Sequence, residues 1–125
     1  MGNFWGGHDF IEDEGGLNIT LSGGASTKIR EITLSKGLWI VTALIGVVIP
    51  SGVKRMIECN IGSDLSHALL TDLIENNTNA GKYFGINTQR VFLVNTPTAV
   101  GIYASSNGSD VVCNYRRLQA IKIKP

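Results

Sequence analysis

A chain of 125 residues fits one domain. Apolar residues make up 43% of it, enough to fill a core, while charged residues are 17%, below the roughly 25% usual in soluble domains. Net charge is +1, and the only adjacent basic pairs are Lys54-Arg55 and Arg116-Arg117, which argues against a nucleic-acid-binding surface.

The charge is unevenly placed. Residues 1–16 hold Asp9, Glu12, Asp13 and Glu14 and no base, together with Gly6-Gly7, Gly15-Gly16 and the rings of Phe4, Trp5 and Phe10. This composition predicts an acidic, glycine-rich terminal segment or linker over 1–16, with the folded domain over 17–125. Met1-Gly2-Asn3-Phe4 lacks the basic start and apolar core of a secretory signal, so none is expected.

From Leu17 the pattern is that of strands. Leu17, Ile19 and Leu21 alternate with polar residues, and a second run follows over Ile29 to Leu34. Ser35-Lys36-Gly37 reads as a turn. Leu38 to Ile49 is β-branched and apolar on both faces, as in a strand covered on both sides, and Trp39 within it reads as core. The run is too short for a membrane span of about 20 residues, so no membrane insertion is expected. Pro50-Ser51-Gly52 is a further turn, and Val53 to Ile61 a further strand, so residues 38–61 read as a hairpin. Residues 62–88 fit a short helix near 64–75, with Ser63-Asp64 as cap, and an irregular strand pair equally well.

Strands return at Arg90 to Val94 and Ala99 to Ala104. Ser105 to Asp110, SSNGSD, reads as a hairpin turn into a last strand, Val111 to Lys124. In that strand Leu118 and Ala120 share one face and Ile121 and Ile123 the other, which requires a bulge or burial on both faces. Leu118, Ile121 and Ile123 are expected to be buried. About eight short antiparallel strands predict an all-β jelly-roll sandwich. Low charge and strands apolar on both faces predict a homo-oligomer, a homotrimer in this reading.

No catalytic motif stands out. GxSxG, GxGxxG and P-loop patterns are absent, and His8 and His67 neighbour no nucleophile. Asp64, Asp72 and Glu75 read better as solvated charges than as a glycosidase pair. The acids of residues 9–14 do not follow the spacing of a calcium loop. Cys59 and Cys113 lie in no CxxC and at no zinc spacing, so they read as small buried side chains, with a disulfide between them left open. The expectation is a protein without catalysis, metal or cofactor. A sugar site needs an exposed ring and polar forks. Candidates are Asp64, His67, Tyr83 and Phe84 in the 62–88 stretch, with Asn77 and Asn79; Arg90 and Trp5 are further ones.

Two stretches carry a resemblance. Leu34 to Ala43, LSKGLWIVTA, resembles the opening strand of bacteriophage tail-fibre head domains; Val100 to Ser106 with Asn114 to Ile123 resembles their closing strands. The resemblance spans roughly 27–61 and 89–124 and leaves 62–88 unmatched. It implies a fold similar to tumour-necrosis-factor-like and complement-globular-head-like jelly rolls. It also implies a homotrimer at the tip of a virion's tail that recognises its host by adhering to a bacterial surface polysaccharide. The motifs mark strands and turns and transfer no binding residue. The alternatives are a structural trimeric head of a bacterial collagen-like surface or spore-coat protein, a secreted cytokine-like ligand, and a small polysaccharide hydrolase.

Overall fold

A computed structural model describes residues 9–62, 70–75 and 81–125. Eight strands are formed among them: β1 (Phe10–Thr20), β2 (Thr27–Leu34), β3 (Gly37–Ile49), β4 (Lys54–Gly62), β5 (Leu70–Glu75), β6 (Lys82–Val94), β7 (Thr98–Ser106) and β8 (Val112–Lys124). They make two four-stranded antiparallel sheets, ordered β1-β8-β3-β6 and β2-β7-β4-β5. This interleaved order is that of an eight-stranded jelly roll, as the sequence predicts.

The core lies between the sheets. Trp39, Val41, Ala43, Ile45 and Val47 alternate inward from β3, and Ile57, Cys59, Ile61, Val100 and Ile102 meet them from the facing sheet. Trp39 is fully buried, and its indole N–H donates to the Ser35 carbonyl at 2.8 Å. Cys59 and Cys113 are both buried, and no disulfide joins them. Burial pushes the Cys113 thiol up to about 11, against a weaker opposing pull from its contact with the Tyr115 carbonyl.

Three expectations are corrected and one open reading is decided. First, residues 38–61 hold two strands but no hairpin: β3 pairs with β6 and β8, and β4 with β5 and β7. The turn at 50–52, with Gly52 at φ +72°, carries the chain from one sheet to the other. The SSNGSD turn does the same between β7 and β8. Turn composition reports a reversal, and a reversal serves a sheet-to-sheet corner as well as a hairpin.

Second, residues 10–16 are no linker. Phe10 to Gly16 pair with Tyr115 to Ile121, so the acidic stretch is an edge strand of the domain. Its period was hidden because Asp13 and Gly15 occupy inward positions between Ile11 and Leu17. Asp13 is tolerated there because Arg116 donates to it at 2.9 and 2.7 Å.

Third, of the two readings left open for this stretch, a helix near 64–75 and a strand pair, residues 70–75 take the strand, paired with β4. Leu70 and Leu73 fit helical spacing, but the ladder of β4 satisfies their backbone as strand. Residues 64–69 of the expected helix lie outside the described residues.

Fourth, of the three β8 residues expected to be buried, Leu118 is, Ile121 is half-buried and Ile123 is exposed. An extra residue at Asn114, opposite the Gly46/Val47 step of β3, flips the face of the strand. Ile121 therefore stands on the outside of the sandwich, and Ile123, exposed beside it, is the extra residue of a second shift between Lys122 opposite Trp39 and Lys124 opposite Leu38.

Candidate functional site

The outward side chains of the β1-β8-β3-β6 sheet form rows that run across its strands. At one end Val112, Val48 and Tyr83 are in register. The next row is Gly16, Tyr115, Gly46 and Gly85, followed by Glu14, Arg117, Leu44 and Asn87. Then come Glu12, Gln119, Thr42 and Gln89. The far end is mostly apolar, with Phe10, Ile121, Ile40 and Val91 in one row, and Leu38 and Leu93 in the last beside Lys124.

The two ends differ in chemistry. At the first end the phenol end of Tyr83 lies across Gly46, where an added Cβ would collide with its Oη and Cζ. A side chain at 46 would displace the ring from this position, so the bare backbone of β3 gives the ring its place. Tyr115, opposite Gly46 on β8, donates its hydroxyl to Glu14 Oε2 at 2.6 Å, and this bond raises the pKa of its phenol. One row further along, Gln119 donates to Glu12 at 2.5 Å.

The far end is an apolar patch. Five large apolar side chains stand exposed among the described residues, and four of them, Tyr83, Val91, Leu93 and Ile123, are on this sheet. Leu93 is 73% exposed and Val91 56%. Half-buried Leu38, Ile40 and Ile121 lie beside them. Such a cluster on a small domain is a contiguous apolar patch rather than a scatter of single residues.

Of the residues singled out from sequence, Tyr83 stands on this face, 53% exposed. Phe84 is corrected as its ring partner. Successive residues of a strand point to opposite faces, and Phe84 packs against the core. Arg90 also turns inward. It covers the Phe92 ring at 4.9 Å and donates to the Ile61 carbonyl of the other sheet at 2.7 Å, closing that side of the sandwich. Asp64, His67, Asn77, Asn79 and Trp5 lie outside the described residues. Tyr115, Asn87, Gln89 and Arg117 were missed. Their signal was the alternation of β6 and β8, obscured by the bulge at Asn114 and by leaving 62–88 open between a helix and an irregular strand pair.

Among the described residues no group of three or more His, Cys, Asp or Glu is placed to hold a metal. Among the described residues no helix is long and apolar enough to cross a membrane.

No family model and no curated protein matches the chain. Solved structures do resemble it, two of them as follows. One is a structure of infectious bursal disease virus, Gx strain, at 12% identity and TM-score 0.52 over 91% of this chain. The other is a structure of Bacillus endospore appendages, a family of disulfide-linked pili, at 9% identity and TM-score 0.47 over 94% of this chain and 91% of that one. This chain spans only 33% of the virus chain it matches. At such identities the likeness speaks for the fold: the chain is an all-β sandwich with the strand order of a jelly roll.

Proposed function

We propose that this domain is an adhesive head that assembles with copies of itself, as a homotrimer, and attaches a bacteriophage tail fibre to a glycan on its host. The observation that carries this reading is the apolar end of the β1-β8-β3-β6 face, where Val91, Leu93 and Ile123 stand exposed beside Leu38, Ile40 and Ile121. Burying such side chains is worth roughly 25 cal/mol per Å² of apolar surface, and a second copy of the same chain is the partner always at hand. The exposed tyrosine and the carboxamides at the other end of the face are the kind of groups that hold sugars. The resemblance of residues 27–61 and 89–124 to tail-fibre heads points the same way, and the likeness to a viral structure supports only the fold. The function reading is therefore a receptor-binding part of a virion, acting outside the host cell.

The test is decoration of whole bacterial cells by the labelled domain. Cells of a susceptible strain should be decorated by the wild type. A Val91→Glu/Leu93→Glu variant, expected to be monomeric, should lose most of that binding because three weak sites act together only in the trimer. A trimer that decorates no strain would remove the adhesive reading and leave a structural head.

A further inference from the structure

We propose that the Tyr83 end of this face binds a pyranose ring of a surface polysaccharide, with the Tyr83 ring as the platform on which the sugar's C–H face stacks. The proposal rests on the adhesive reading above and names its binding site.

The first argument is the ring itself. Tyr83 is 53% exposed, and its phenol end lies across Gly46, so the ring rests along the sheet with much of its surface open. An exposed tyrosine offers apolar contact with only two side-chain torsions to order, and its hydroxyl adds a polar handle.

The second argument concerns two glycines that the fold does not require. At Gly46 an added Cβ would meet the phenol end of Tyr83. At Gly16 and Gly85, by contrast, an added Cβ would meet only single atoms at ordinary contact distance, 3.8 Å from the Asn114 carbonyl oxygen and 3.7 Å from Leu44 Cδ1. Neither glycine has a positive φ. Tyr115 stands between Gly16 and Gly46, so the bare backbone beside the Tyr83 ring is a short trough at Gly85, next to Gly46, and Gly16 lies apart from it on the edge strand.

The third argument is the polar lining. The row after the trough presents Asn87, Arg117 and Glu14, and the one after that Gln89, Gln119 and Thr42. Same-face residues on a strand are about 7 Å apart, so the nearer row is within reach of a ring stacked on Tyr83. Carboxamides offer donors and acceptors together, which suits neighbouring hydroxyls. The Glu14 carboxylate is held in place by Tyr115. Arg117 forms no hydrogen bond or ion pair among the described residues and is open to a sugar hydroxyl or a sugar carboxylate. The trough and the Val91 row are three rows apart, about 20 Å, so assembly at one end leaves the other open.

The experiment uses the whole chain in its assembled form. Wild type, Tyr83→Ala and Gly85→Val are titrated with maltoheptaose, chitotetraose and an oligogalacturonate, and the same proteins are tested for decoration of cells. The three should share one oligomer mass and one melting temperature, since neither substitution touches the core. The wild type should bind at least one probe. Both variants should weaken that binding about tenfold or more, the scale of one lost aromatic contact, and should lose cell decoration. Binding confined to the oligogalacturonate and lost in Arg117→Gln would assign an acidic sugar; binding of the neutral probes would assign a neutral one. If both variants decorate cells as the wild type does, the site is elsewhere and the adhesive reading stands. If the wild type decorates no cells and binds no probe, both proposals fail.

Discussion

Arg116 on β8 grips Asp13 on the edge strand β1 with two hydrogen bonds, 2.9 and 2.7 Å, and also donates to the Gly16 carbonyl at 2.9 Å. Arg116 is only 11% exposed, so its charge depends on this partner. From the facing sheet Arg30 approaches the same carboxylate at 3.6 Å. The acid thus ties the edge of one sheet to its own neighbour and to the other sheet. Asp13→Ala should lower the unfolding free energy by roughly 1–3 kcal/mol, measured by urea denaturation. Arg30→Ala, which removes an exposed partner, should cost less than about 1 kcal/mol. Equal losses from the two would contradict this assignment.

A second ion pair sets an acid limit. Arg55 at the start of β4 makes a bidentate contact with Asp110 in the β7–β8 turn, Nε to Oδ1 at 2.8 Å and the second nitrogen to Oδ2 at 2.7 Å. The hydrogen bond to Arg55 holds the Asp110 carboxyl below its usual value. A carboxylate whose folded pKa lies below its unfolded one stabilises the fold above the unfolded value and loses that contribution as pH falls through the folded one. Melting temperature should therefore fall below the ordinary carboxylate range, and Asp110→Asn should flatten that fall while lowering stability at neutral pH. An unchanged acid profile in Asp110→Asn would remove the pair from the account. The pKa of Arg55 is raised by the same bond, and the stability it contributes is lost only at pH beyond the working range.

Cys113 offers a chemical test of the packing. Its thiol is buried between the sheets and pushed up to about 11 by that burial. The reactive thiolate is therefore scarce at neutral pH, and the sulfur is out of reach. Iodoacetamide at pH 7.5 should leave Cys113 unmodified in the folded protein and alkylate it in urea. Rapid native labelling, read by mass spectrometry, would mean that the closed sandwich is wrong at that strand.

Most of the fold was legible as strands, and less of it as connections. Leu38 to Ile49 carried its strand character in β-branched residues. What the sequence did not carry was which strands pair. In a jelly roll nearly every reversal crosses between sheets, so the turns at 50–52 and 105–110 looked like hairpins and are corners. The face of Ile121 depended on one extra residue at Asn114, and a period of two cannot show where it slips. The site was harder still. Tyr83 was legible as a ring in a polar stretch, but its partners come from β1, β3 and β8, brought alongside by pairings up to about a hundred residues apart in sequence.

The central claim is that the Val91 end of the β1-β8-β3-β6 face is buried against copies of the same chain. Light scattering coupled to size-exclusion chromatography tests it most directly. The account predicts a mass of three times the 13.4 kDa chain at micromolar concentration, and the single-chain mass for a folded Val91→Glu/Leu93→Glu variant. A wild-type protein that elutes at 13.4 kDa throughout that range, or a double variant that keeps the wild-type mass, would contradict it.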